Sequence, residues 1–301
     1  MNKKVIIIGG PTAVGKTSLA VALAAHYNTE IISADSRQCF NELNIGVARP
    51  SEEDLNKVRH HFIASHSIHD QLTAIDFENY AITKANELFQ DKEMVILVGG
   101  TGLYIKAFME GMDDIPSVDQ TIREEIALHY KEKGIDWLAQ QLIKLDPEYA
   151  AKGSMQNPQR MMRALEVVTA TGKSILSYQQ KAKKERPFEI IPVQISLPRA
   201  QLYERINHRV DQMMNAGLLE EVKRLIPCRH FNALQTVGYR ELFDYMDGLY
   251  SLEQAVDKIK QHTRHYAKRQ ETWFAHQWEA AVYTPDQLNE IIRMIDQKMA
   301  G

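Results

Sequence analysis

The run from Lys4 to Ser18, KVIIIGGPTAVGKTS, limits what this chain can fold into more than any other stretch. Val5 to Ile8 is a β-branched run with no polar break, the composition of a strand buried on both faces. It leads into Gly10-Pro11-Thr12-Ala13-Val14-Gly15-Lys16-Thr17, which fills every fixed position of the P-loop pattern G-x-x-x-x-G-K-[ST]. Leu19 to His26, rich in Ala and Leu, then reads as a helix. Strand, glycine loop and helix start are the context in which backbone N–H groups converge on one phosphate chain. Gly10 and Gly15 let the backbone curl around the anion, Lys16 adds a point charge, and Thr17 is placed to hold a phosphate-bound Mg²⁺. The chain is expected to bind a phosphorylated ligand here.

Further short apolar strands follow. Glu30 to Ala34 ends in Asp35-Ser36-Arg37-Gln38, and Met94 to Val98 ends in Gly99-Gly100-Thr101-Gly102, with a crossover helix predicted over Phe77 to Phe89. Ligands of open α/β sheets sit beyond the carboxyl ends of the strands, so Asp35 falls near the phosphates by topology alone. The later strand carries no terminal carboxylate of the kind that holds Mg²⁺ through water in P-loop NTPases. That argues against ATP hydrolysis and leaves Asp35 free for other work. Its plainer roles are capping the following turn or holding Mg²⁺.

Between Asp113 and Arg186 the strand signals vanish. Helical patterns cover Val118 to Lys133, Ile135 to Lys144, Pro147 to Lys152 and Pro158 to Thr171, the last with Asn157 as N-cap and Gly172 as terminator. KAKKER, residues 181–186, reads as a charged linker. Phe188 to Ser196 returns to β character, with Pro192 favouring an edge or a bulge. The final third reads as helical: Arg199 to Leu225, divided at Gly217, and Leu252 to Ala275, on which Lys260, Arg264, Lys268 and Arg269 form a basic stripe. The expected fold is a P-loop α/β parallel-sheet core, residues 1–112 and 187–301, with an all-helical insertion over 113–186.

With 301 residues and a formal net charge of −3, the chain is ordinary soluble material rather than an indiscriminate nucleic-acid coat. Cys39 and Cys228 make no disulfide framework. His60, His61, His66 and His69 lack a regular ligand pattern and read as loop packing. No apolar run approaches membrane-spanning length, and MNKK leads directly into the first strand with no room for a signal peptide; a cytoplasmic protein is expected.

The chain closely resembles the bacterial tRNA dimethylallyltransferases. The resemblance rests on GGPTAVGKT (9–17), ISADSRQ (32–38), VGGTGLY (98–104), NPQRMMRALEV (157–167), LYERINHRVDQMM (202–214), GLLEEV (217–222), TVGYREL (236–242) and TRHYAKRQETWF (263–274), in the family's order. It implies transfer of the dimethylallyl group of dimethylallyl diphosphate to N6 of adenosine 37, in the anticodon loop of tRNA. The P-loop, Gly10 to Thr17, would then hold a diphosphate instead of ATP. An adenine amine is a poor nucleophile, so its proton must be taken as the C–N bond forms, and a carboxylate at hydrogen-bond distance can act as the general base. The resemblance gives that role to Asp35, and diphosphate stabilisation to Lys16, Thr101 and Mg²⁺ at Thr17. It has Asp35, Ser36, Arg37 and Gln38 receive the flipped base, with Arg123, Gln159, Arg160, Met161, Met162 and Arg163 gripping the tRNA. A monomer without membrane contact is expected.

Departures are Cys39-Phe40, where the family commonly has Val-Tyr, and Ala64, where it commonly has Asp. The alternatives are a P-loop nucleotide kinase, a prenyltransferase of free adenine nucleotides, and a non-catalytic RNA-binding protein.

Overall fold

The computed structural model describes residues 3–179 and 183–300. Two compact units form, Met1–Gly111 with Glu185–Gly301, and Met112–Lys184.

The first unit is built on a parallel sheet. Its strands are β1 (Lys4–Gly9), β2 (Ile31–Ala34), β3 (His60–His61), β4 (Met94–Gly99), β5 (Glu189–Ile195) and β6 (Ala281–Tyr283), in the order β3-β2-β4-β1-β5-β6 among the described residues. Every residue of β1 and β4 is buried, as their unbroken apolar runs require of strands covered on both faces. Ile6, Ile8, Ile96, Val98, Val193 and Leu23 share a core cluster on one face. An aromatic group packs elsewhere in the unit: Phe77 stacks on Tyr104 with ring centroids 4.3 Å apart, and Phe62 meets Phe77 edge-on at 5.1 Å.

The helices of this unit are α1 (Lys16–His26), α2 (Glu52–Lys57), α3 (Ala74–Leu88) and α4 (Gly102–Glu110), then, beyond the insertion, α8 (Arg199–Asn215), α9 (Leu218–Arg224), α10 (Tyr239–Met246), α11 (Leu252–Gln277) and α12 (Leu288–Ala300). Gly217, at φ 98°, divides α8 from α9 as its sequence position predicts. Helix α11 starts on a capping box, in which the Ser251 hydroxyl accepts from Gln254 N–H and the Gln254 side chain accepts from Ser251 N–H.

Two sequence expectations need correcting. The final third is not wholly helical: β6 adds a parallel strand against Val193–Ile195. Like β3, it is too short for alternation to show. Pro192 does not sit on an edge strand, since β5 lies between β1 and β6. Because β6 reaches only Val193–Ile195, however, the outer flank at Pro192 is open, and the missing N–H costs little.

The second unit holds α5 (Gln120–Leu145), α6 (Pro147–Lys152) and α7 (Pro158–Thr171). Helix α5 breaks at Gly134 (φ 75°, ψ −168°), which separates the two helical runs expected there. Asn157 caps α7 through its side-chain oxygen, which accepts from Arg160 N–H, and Gly172 ends the helix at φ 69°. Leu138, Leu142, Met161, Ala164 and Leu165 form the core of this unit. The expected linker over 181–186 lies partly outside the described residues: Lys181 and Ala182 are not among them.

Candidate active site

The loop after β1 is shaped by close backbone approach. Gly10 has φ 150°, and a Cβ there would strike the Ile195 carbonyl at the end of β5. Gly15 (φ 107°) starts α1, whose first residues are Lys16 and Thr17. Lys16 Nζ turns back to donate to the Pro11 carbonyl at 2.6 Å. Thr12, Ala13, Gly15, Lys16, Thr17 and Asp35 line a cavity of about 140 Å³.

Two arginines from α8 join this loop. Arg205 Nη1 donates to the Val14 carbonyl at 3.2 Å, and Arg209 lines the same cavity. Burial first, and the charge of Arg209 second, pull the Lys16 ammonium down to about 7, with Asp35 acting in the opposite direction. Arg209 is itself pushed down, by burial and then by Arg205. Among the described residues none of these three cations belongs to an ion pair. Such a concentration of like charge, partly withdrawn from water, favours an anion in the cavity.

Asp35 stands at the end of β2, the strand beside β4. Its Oδ1 accepts from Arg37 N–H at 2.9 Å and Gln38 N–H at 3.2 Å, so the carboxylate caps its own turn while facing the cavity. Thr101, after β4, accepts from Ser36 N–H at 3.1 Å, and its amide donates to the Ala34 carbonyl at 3.3 Å. The two strand ends are thereby tied together. Asp35, Ser36 and Arg37 also line a larger neighbouring cavity of about 560 Å³, with Arg209, His262, Tyr266 and Arg269 on its walls. The Tyr266 phenol is pushed up to about 12, chiefly by burial and next by Asp35.

Gln38 has other work. Its Nε2 donates to the Val47 and Ala48 carbonyls at 3.2 and 2.9 Å, holding the loop that lines both cavities. That loop has a second anchor, absent from the sequence reading. The buried Glu221 carboxylate accepts from Ile45 N–H (2.8 Å), Gly46 N–H (3.0 Å) and the Tyr239 hydroxyl (2.6 Å). Glu241 works similarly, accepting from Gly238 N–H at 2.7 Å and meeting His262 Nδ1 at 2.5 Å. Gln270 is a third residue that sequence reasoning passed over. Its amide joins Thr12 N–H and the Gly100 carbonyl, both at 2.8 Å. Buried Glu and Gln between apolar helical positions were the available signal, since such groups require partners.

The basic stripe on α11 divides by function. Lys260 pairs with Asp211 at 2.6 Å, and Arg264 donates to Asn207 Oδ1 at 2.7 Å, both tying α11 to α8. Arg269 lines the large cavity instead, and Lys268 is exposed. Of the histidines, His61 Nε2 meets Glu30 at 2.6 Å and His60 Nδ1 meets the Val58 carbonyl at 2.8 Å.

In the helical unit Gln159 and Arg160 are exposed, and Met162 is half-buried. Met161 is a correction: it is fully enclosed in that unit's core, so its side chain supports the helix and offers no surface to a nucleic acid. Arg163 and Arg123 approach one carboxylate, Glu166, at 3.2 and 3.9 Å. Arg160 and Arg163 are three residues apart on α7, but only Arg163 is engaged in this way.

A parallel sheet whose first strand feeds a glycine loop, with a half-buried lysine and two arginines gathered beside it, defines a P-loop-like α/β protein. The model of the family described as IPP transferase matches residues 38–277, and the chain belongs to that family. It is 49% identical over 274 residues to the tRNA dimethylallyltransferase of Christiangramia forsetii, covering 91% of each chain. Its identity to the enzyme of that name from Flavobacterium johnsoniae is 46% over 305 residues, covering 99% of this chain and 98% of the relative. Among solved structures it is similar to the tRNA isopentenylpyrophosphate transferase of Bacillus halodurans, with a TM-score of 0.73, 34% identity and coverage of 99% and 97%.

Proposed function

We propose that this chain is a tRNA dimethylallyltransferase that moves the dimethylallyl group from dimethylallyl diphosphate to N6 of adenosine 37 in the anticodon loop of tRNA. The observation that carries the reading is the set of cations, Lys16, Arg205 and Arg209, without an ion pair among the described residues, at a P-loop with a carboxylate, Asp35, across the cavity. The cations suit a leaving group, and the carboxylate suits a nucleophile that must lose a proton. As the allylic C–O bond breaks, its electron pair stays on the diphosphate. The adenine nitrogen forms the new C–N bond and gives its proton to Asp35. The growing negative charge is met by the loop N–H groups and Lys16, groups already in place before reaction.

Thr17, Ser33 and Asp35 present oxygen donors in the same cavity, a set that suits Mg²⁺ completing its shell with phosphate oxygens and water. Thr17 would hold the ion, whose part is to neutralise charge on the diphosphate. Ser36, Arg37 and the wall formed by His262, Tyr266 and Arg269 bound the space available to the base. No helix among the described residues is long and apolar enough to cross a membrane, and a cytoplasmic site of action suits the proposed substrate.

The test is to incubate enzyme, Mg²⁺ and unmodified tRNA with dimethylallyl diphosphate or with ATP, and to measure prenylated adenosine, diphosphate and phosphate separately. Prenylated adenosine and tRNA-dependent diphosphate release are expected, without ATP turnover. TRNA-dependent ATP hydrolysis with no prenylated adenosine would overturn the assignment in favour of a kinase-like reading. Asp35→Asn should lower single-turnover prenyl transfer by ~10²–10⁴-fold while leaving tRNA affinity unchanged. Near-normal rates would return Asp35 to its capping role.

A further inference from the structure

One peptide unit of the P-loop is gripped from both sides. Between Pro11 and Thr12, the amide N–H donates to Gln270 Oε1 at 2.8 Å, and the carbonyl accepts from Lys16 Nζ at 2.6 Å. A trans peptide is planar, with N–H and C=O pointing in opposite directions. Rotation of this single plane therefore sets the direction of both bonds. Whatever holds the N–H end also places the carbonyl on which the lysine rests.

Gln270 is well suited to hold it. It is only 7% exposed, and its other arm, Nε2, donates to the Gly100 carbonyl at 2.8 Å. The partners fix the orientation of the amide, because Thr12 N–H can only donate and Gly100 O can only accept. Reversing the amide would place two donors together and two acceptors together. The turn after β4 is shaped around this side chain, since a Cβ on Gly100 would collide with Nε2. Burying an amide without partners is costly, and both arms of this one are used across the two glycine loops of the site.

We propose that Gln270 is a positioning residue for Lys16: by clamping the Pro11–Thr12 peptide it fixes the carbonyl that parks the ammonium beside the diphosphate cradle. This rests on the reading of the P-loop as a diphosphate site. The parked ammonium need not be ordered when the ligand arrives.

The experiment is a double-mutant cycle read by calorimetric binding of inorganic diphosphate with Mg²⁺ to the full chain, without tRNA or prenyl donor. The variants are Gln270→Met, which keeps the side-chain volume but neither hydrogen bond, Lys16→Ala, and the double mutant. Gln270→Met is expected to weaken binding about tenfold, as the loss of an organising hydrogen bond predicts. In the double mutant, binding should stay within about twofold of Lys16→Ala alone, because the second effect acts through the first. Wild-type binding in Gln270→Met, or losses that multiply in the double mutant, would overturn the proposal. Gln270→Asn, whose shorter side chain draws the amide back from both partners, serves as a second variant should Gln270→Met not fold. Because the ligand is diphosphate alone, failed coupling reads apart from failed prenyl transfer: only the first counts against Gln270, and only the second against the reaction.

Discussion

Cations in the two units are treated in opposite ways. At the P-loop, Lys16, Arg205 and Arg209 gather without an ion pair among the described residues, and burial pushes Lys16 and Arg209 toward losing their charge. In the helical unit, Arg163 and Arg123 approach Glu166 at 3.2 and 3.9 Å, and Arg160 points into solvent. The first arrangement is unfavourable until an anion arrives. The second is content without one, and leaves the exposed Arg160 available for contact with a partner. A small, tightly held anion needs the former, whereas a long polyanion touched at its surface needs only the latter.

The largest effect should come from the crowded site. Arg209→Ala is expected to lower kcat/KM for dimethylallyl diphosphate by ~10²–10³-fold, the scale for removing one preorganised stabiliser of transition-state charge. Steady-state kinetics at saturating tRNA would show it, and a loss under threefold would break the contrast drawn above.

The pH dependence of diphosphate binding sharpens the same point. Lys16 is lowered to about 7 in the free site, and an arriving anion favours its charged form. Above pH 7 the lysine is largely neutral before binding, so binding should take up a proton. Well below pH 7 it is already charged, and the uptake should vanish. Calorimetry in buffers of different ionisation enthalpy measures this directly, and Lys16→Met should abolish the uptake at pH 8.

The smallest effects belong to the helical unit. Arg160→Ala should weaken tRNA binding by only ~threefold to tenfold and lower the slope of log K against log salt by about one, the mark of a lost phosphate contact. Arg163→Ala should do less, because Glu166 already engages that charge. Glu166→Gln should release Arg163 and Arg123 and steepen the salt slope slightly. Equal effects from Arg160→Ala and Arg163→Ala would show that Glu166 does not discriminate between them.

The parts of this molecule that were legible in its sequence are local. The P-loop, its strand and helix, the break at Gly217 and the capped start of α7 each depend on residues within a few positions of one another. Asp35 was also reachable, because strand ends in parallel sheets converge. What stayed hidden depends on long-range meetings. Gln270 touches Thr12, Arg205 touches Val14 and Glu221 touches Gly46, yet no periodicity links a residue on α8, α9 or α11 to a loop near the other end of the chain. Met161 was misread because the stretch NPQRMMRALEV does not say which of two adjacent methionines turns inward; helix geometry sends Met161 to the core and leaves Met162 half-buried.

The position of β1 at the middle of the sheet has a consequence for how the chain acquires its shape during synthesis. Strand β1 pairs Lys4 with Met94 on one side and with Glu189 on the other, so neither neighbour exists when β1 emerges. Closing such distant pairings is slow, because the entropy of long loops must be lost before contacts repay it. The helical unit is translated between these two events and carries its own core, which allows it to fold while the sheet is still half-built. The arginines of α8 and the glutamine of α11 arrive after both of these events. A pocket lined by them is therefore completed only after the central strands and the helical unit have been made, and the nascent P-loop lacks these groups before then.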